Sequence, residues 1–255
     1  LLGGALSSFF GNLLGGAWGY RIPFFITGVL MFIVFLGTTF LVHEDFTPIS
    51  REKMKPMGEI MKSLPHLKLI IIMFITTMIV QSSTMSIDPI VSLYVKSMMH
   101  GSGDVAFVAG VVAATPGLGT LIAASKIGHK MDEIGPLRVL RLGLIIGAVL
   151  FVPMALTNSP WVLAFLRFIL GIASAGMLPA AQTVLTLNTP SESFGRIFSY
   201  NQSFQAVGAV LGSMMGSTIS GFSNYATVFW VTGFTLLINF ILVLVFAWGI
   251  SYRNK

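Results

Sequence analysis

Gly128-His129-Lys130-Met131-Asp132-Glu133-Ile134-Gly135-Pro136-Leu137-Arg138 is a short charged stretch between two long apolar ones. Its spacing is Gly, four on to Asp, three on to Gly, three on to Arg. Gly128 offers two helix ends a close approach. Asp132 can cap a helix or hold a base. Gly135 supplies the turn, with Arg138 just beyond it. The stretch reads as a tight charged hairpin at the foot of two antiparallel helices, and that reading decides the fold.

The surroundings are apolar enough to cross a bilayer. The chain is 55% hydrophobic and 9% charged, with a mean hydropathy of +0.86. Soluble domains carry about 25% charged residues. A membrane span needs about 20 apolar residues at 1.5 Å each. Eight segments qualify, at 1–19, 23–43, 67–95, 104–126, 137–157, 160–187, 196–220 and 225–250, the last two separated at Gly221-Phe222-Ser223-Asn224. Such continuous runs predict helices, because barrel strands would show about ten residues of strict alternation. The fold class is therefore an all-α polytopic membrane protein.

With no cysteine, disulfides and thiolate sites are excluded. The net charge of +6 does not point to nucleic acid, because the bases gather at helix ends. One set of loops and helix ends carries twelve bases: Arg51, Lys53, Lys55, Lys62, Lys68, Lys126, Lys130, Arg138, Arg141, Arg196, Arg253 and Lys255. The opposite set carries Arg21 and Lys96. This asymmetry places the segments 44–66, 127–136 and 188–195 and the tail 251–255 in the cytoplasm.

The polar segment 44–66 contains Pro48, Pro56 and Pro65 and separates 1–43 from 67–250. Residues 51–64 read either as a helix lying on the membrane surface or as a flexible linker. Leu1 already lies in an apolar run, so 1–20 is expected to be the end of a truncated span, followed by seven whole ones. The six spans after the linker form two triplets, each with a middle span rich in small residues. The first has Ala109-Gly110, Ala113-Ala114, Gly117 and Gly119. The second has Gly208, Gly212 and Gly216, which line one helix face. Matching triplets are what an inverted repeat leaves in sequence.

Several of these stretches resemble the major facilitator superfamily. The hairpin resembles the second copy of its G-x-x-x-D-(R/K)-x-G-(R/K) signature, although Glu133 and Pro136 stand in place of bases. Leu163, Arg167, Gly171 and Ala175 resemble its L-x-x-x-R-x-x-x-G…A span motif. His43 to Pro48, Gln81 to Tyr94 (QSSTMSIDPIVSLY) and Gly195 to Phe204 (GRIFSYNQSF) resemble the multidrug-efflux permeases of the drug:proton antiporter branch. The antiporter signature G-P-x-x-G-G has two possible registers, ending at Leu1-Leu2-Gly3-Gly4 or lying at Gly11-Asn12-Leu13-Leu14-Gly15-Gly16. The resemblance implies a bacterial cell-membrane bundle, with 1–43 as the last spans of an N-terminal half and 67–250 as the C-terminal six-helix half. It implies proton-driven efflux of amphipathic molecules by alternating access, with no cofactor. The implied partners are the lipid bilayer, an amphipathic substrate, protons and the rest of the N-terminal half.

Within the spans, Arg167 is the one mid-span base, about 10 Å in from Pro160. A buried cation costs at least ~2.5 kcal/mol there unless paired or hydrated, so it must face the bundle interior. It reads as a gate or coupling residue, or as a structural arginine bonded to carbonyls. Asp88 lies about 30 Å along its helix from Leu67, just before the helix breaker Pro89. It reads as a gate, a proton acceptor or an interfacial acid. Asn201, Gln202 and Gln205 lie on two turns of one helix. With Gln81 and Met85, and with Asn239 on the last span, they could line one substrate cavity; interhelical amide bonds are the alternative, and the one preferred for Asn239. Adaptable Met and Phe side chains (14 and 21) suit a pocket for varied greasy cations.

No H-E-x-x-H, G-x-S-x-G or Walker loop occurs, which argues against an enzyme or an ATP-driven pump. His43, His66, His100 and His129 are too scattered for a metal site. A transporter of another small solute shares the same architecture, and a seven-span receptor or sensor is the reading from a different class. The paired triplets and the hairpin argue against the receptor.

Overall fold

The computed structural model describes residues 17–41, 66–100 and 103–251, with side chains for 24–41, 66–100, 103–246. The expected truncated span and both registers of the antiporter signature lie outside the described residues. So do His43–Pro48, the rest of the 44–66 linker apart from His66, and residues 252–255. The chain divides into two compact units, 1–63 and 64–255.

In the first unit, α1 (Ala17–Leu41) is apolar on all sides. Its described side chains are exposed almost without exception, as expected of a helix whose neighbours are lipid or other helices.

In the second unit every described element is helical. The helices are α2 (Leu67–Ile87), α3 (Val91–Met98), α4 (Val105–Ile134), α5 (Pro136–Leu156), α6 (Pro160–Ser174), α7 (Met177–Leu187), α8 (Phe194–Phe222) and α9 (Tyr225–Ser251). The predicted span 67–95 is broken after Asp88, where Pro89 cannot donate to the helix ladder. The predicted span 160–187 is broken at Ala175-Gly176, and a Cβ at Gly176 would press on Ile127 and Val139. Six stretches, α1 and five in this unit, are long and apolar enough to cross a membrane. The 29-residue α8 is not among them, because Asn201, Gln202, Gln205 and its serines and glycines dilute it. At about 43 Å it still has the length to cross.

The packing follows the triplets. α2 lies most extensively against α8, α4 against α6, and α5 against α9. The first helix of each triplet thus meets the middle helix of the other, and the third helices meet each other. Exchanging the two triplets preserves this pattern, as an inverted repeat requires. Glycine makes the first two pairings close. A Cβ at Gly208, Gly212 or Gly216 of α8 would strike the carbonyl oxygen of Met78, Ser82 or Ser86 of α2. The register advances in the same direction on both helices, so they run parallel. On the other pair, a Cβ at Gly171 would strike the Pro116 carbonyl, and one at Gly119 the Phe168 carbonyl. Thr120 Oγ1 donates to the Gly171 carbonyl across the same contact, at 3.0 Å.

The hairpin departs from expectation. α4 does not stop at residue 126 but continues to Ile134, so its last two turns reach about 12 Å beyond the apolar segment. Lys130 and His129 reach Glu133 at 2.7 and 3.4 Å, pairs three and four residues apart that suit a helix. The loop is Gly135 alone, at φ +90°, followed by Pro136 in the first turn of α5. Gly128 makes no close approach, since nothing lies within 4 Å of where its Cβ would be.

Candidate functional site

Arg167 and Asp88, 79 positions apart, meet. Arg167 Nη2 lies 3.5 Å from Asp88 Oδ1. Asp88 lies just past the end of α2 and Arg167 in the first half of α6. The Arg167 side chain is 6% exposed and that of Asp88 46%. This is a buried cation held at long range by a half-exposed acid. Arg167 Nε and Nη1 are buried with no acceptor among the described residues.

Beside Arg167 lies a partly open cavity of about 70 Å³. Arg167, Ser83, Thr84 and Ser174 are its polar lining, and Ile87, Met154, Met177 and Phe229 are among its apolar walls. An aromatic group stands at the same end of the bundle. Tyr94 packs on Tyr225 and Phe229 at 5.6 and 5.3 Å between ring centres, and Phe229 on Phe151 at 6.2 Å. Tyr94 also donates to the Thr157 carbonyl at 3.2 Å, tying α3 to the end of α5.

The five residues expected around a substrate lie elsewhere. Gln81, Met85, Asn201, Gln202 and Gln205 do not line this cavity. Asn201 is buried, Gln81, Met85 and Gln205 are half-buried, and Gln202 is exposed. Asn201 Oδ1 accepts from Thr77 Oγ1 at 2.7 Å, an interhelical bond between α2 and α8. Asn239 Oδ1 accepts from Thr76 Oγ1 at 3.1 Å, and Ser86 and Thr232 share a bond of 2.9 Å, both joining α2 to α9. α2 is thus the polar hub of the bundle. The sequence reading missed Thr76, Thr77, Ser86 and Thr232. Their only signal was hydroxyls spaced along an apolar helix. The amide nitrogens of Asn201, Gln205 and Asn239 are buried without an acceptor among the described residues.

At the hairpin, Asp132 and Arg138 are exposed, and neither forms an ion pair among the described residues. Glu133 is the acid that does. Arg141, one turn further along α5, is half-buried, with Nε and Nη2 lacking acceptors among the described residues. Asp104 begins α4, its carboxylate accepting from the Phe107 amide at 3.0 Å. Among the described residues, no group of three or more His, Asp or Glu could hold a metal.

Paired triplets, glycine-lined crossings and a one-residue hairpin define a class: the chain belongs to the Major Facilitator Superfamily, which matches residues 73–253. Within it, the chain is similar to Multidrug resistance protein MdtG. It is 41% identical to that protein of Salmonella dublin over 253 residues, 99% of this chain and 62% of the relative. It is 40% identical, with the same coverage, to MdtG of Salmonella arizonae (strain ATCC BAA-731 / CDC346-86 / RSK2980). The chain therefore spans under two thirds of the length of these relatives.

Proposed function

We propose that the protein is a secondary transporter that exports amphipathic, drug-like molecules in exchange for protons. The observation that carries this reading is identity of about 40% to multidrug resistance proteins along 99% of the chain. The superfamily match and the repeat-like packing support rocking of two helical halves about a central cavity.

Within that mechanism the Asp88–Arg167 pair gates or couples. A proton taken up by Asp88 removes the countercharge of a buried guanidinium and biases the bundle toward a second arrangement. Gln81, Met85, Gln202 and Gln205 offer adaptable and polar surface to a substrate held against the other half, while Asn201 holds α2 to α8. The hairpin lies in the cytoplasm, where the excess of bases puts it. Asp132, without an ion pair among the described residues, is available to latch another part of the transporter, and Gly135 is the hinge.

The test is ethidium efflux by the full-length protein in vesicles, driven by an imposed pH gradient. Efflux that stops when a protonophore collapses the gradient supports the reading. Efflux indifferent to the gradient refutes antiport. Absence of efflux for a panel of amphipathic cations refutes the substrate class.

A further inference from the structure

We infer that the cavity beside Arg167 is a binding site for a small monovalent anion, which competes with Asp88 for the guanidinium. The site is lined by residues of α2, α4, α5, α6, α7 and α9, and Gln81, Gln202 and Gln205 are not among them.

The argument begins with charge. Arg167 is more than nine-tenths buried, and its one ionic partner among the described residues is a half-exposed carboxylate 3.5 Å away. Two of its nitrogens, Nε and Nη1, have no acceptor among the described residues. Each fork of the planar guanidinium, Nη1 with Nη2 or Nε with Nη2, includes the nitrogen that now faces Asp88, so a guest held by two hydrogen bonds must displace that carboxylate. A buried charge left without a partner is costly, and water can solvate it without neutralising it.

The space beside Arg167 fits a small guest. At about 70 Å³ the cavity exceeds the roughly 10–15 Å³ that one water needs. Its hydroxyls can serve an anion. Ser83, Thr84 and Ser174 now donate to the carbonyls of Ile79, Val80 and Gly171 on their own helices, at 2.8, 3.2 and 3.1 Å. The backbone ladder already uses those carbonyls, so each hydroxyl can turn toward a guest without leaving an orphaned acceptor. The remaining walls are apolar, and no acidic residue lines them. Room, a cationic fork and reorientable donors together suit chloride or an ion of its size, and exclude a bulky organic anion.

The experiment is thermal unfolding of the full-length protein in lipid nanodiscs, titrated with sodium chloride against sodium gluconate at constant ionic strength. Chloride should raise the unfolding temperature saturably, and gluconate should not. Asp88→Asn removes the competitor and should lower the apparent Kd for chloride at least tenfold. Arg167→Gln should abolish the difference between the two salts. The idea is overturned if chloride and gluconate act alike on both the wild type and Asp88→Asn, which would mean that water alone fills the cavity. It is equally overturned if Asp88→Asn weakens the chloride effect. Because Asp88→Asn keeps the arginine and the size of the side chain, the test does not depend on Arg167→Gln folding.

Discussion

Gly212→Ala is a one-carbon change whose effect follows from the α2–α8 crossing. Alanine is the better helix former by about 1 kcal/mol, so local propensity alone predicts stabilisation. The crossing predicts the reverse. The new Cβ would strike the Ser82 carbonyl oxygen, with the Cα and carbonyl carbon of Ser82 at 2.7 and 2.8 Å. These are backbone atoms of a buried helix and cannot swing away as a side-chain tip can. Relief requires α2 and α8 to separate, loosening the flanking contacts at Gly208 and Gly216 and the Thr77–Asn201 bond. Overpacking of this kind costs about 1–3 kcal/mol, and a backbone obstacle puts it in the upper half of that range. Set against the propensity gain, that leaves a net loss of about 1.5 kcal/mol, a roughly 13-fold smaller folding equilibrium constant. Gly128→Ala is the internal control, because nothing lies within 4 Å of its Cβ and it sits within α4. The assay is reversible unfolding in mixed micelles, comparing both variants with wild type. Gly212→Ala should lower stability and Gly128→Ala should leave it unchanged or raise it. If both variants stabilise, the two helices are not in glycine contact and the packing argument fails.

Other expectations follow. Arg167→Ala in the full-length protein should abolish gradient-driven efflux while leaving membrane abundance intact by immunoblot; normal transport would remove Arg167 from the mechanism. Asn201→Ala breaks the 2.7 Å bond from Thr77 and should cost about 0.6–1.7 kcal/mol in the same unfolding assay. Asp104→Ala removes the cap on the Phe107 amide and should cost about 0.5–2 kcal/mol. Asp132→Asn should reduce efflux without changing stability, whereas Glu133→Gln, which breaks exposed pairs worth under about 1 kcal/mol, should change neither markedly.

The helical architecture was legible because a long charge-free run can satisfy its backbone in a bilayer only as a helix or a closed barrel, and alternation was absent. The glycine spacing at 208, 212 and 216 was equally plain, since four-residue spacing maps to one helix face. It did not say which helix lies opposite. The partner, α2, emerges only from the register that sets Met78, Ser82 and Ser86 against those glycines. The meeting of Arg167 with Asp88 is also a tertiary contact, between α6 and the end of α2. The charge of Arg167 announced that it must face inward, but nothing local named its acid. The polar seam was hidden for a different reason. Ser83 and Thr84 bond carbonyls of their own helix, Thr76 bonds Asn239, and nothing in the residue types separates the two behaviours. In the hairpin, charge reads as a loop, whereas Lys130 and Glu133 pair along a helix that outruns its apolar stretch.

The central claim, exchange of an amphipathic substrate for protons, is tested most directly by substrate-induced proton movement. The full-length protein would be reconstituted in vesicles holding a preset pH gradient and an internal pH-sensitive dye, and ethidium then added. The account predicts saturable dissipation of the gradient on ethidium addition, absent from empty vesicles and from Arg167→Ala. Ethidium transport that leaves the internal pH unchanged would contradict it.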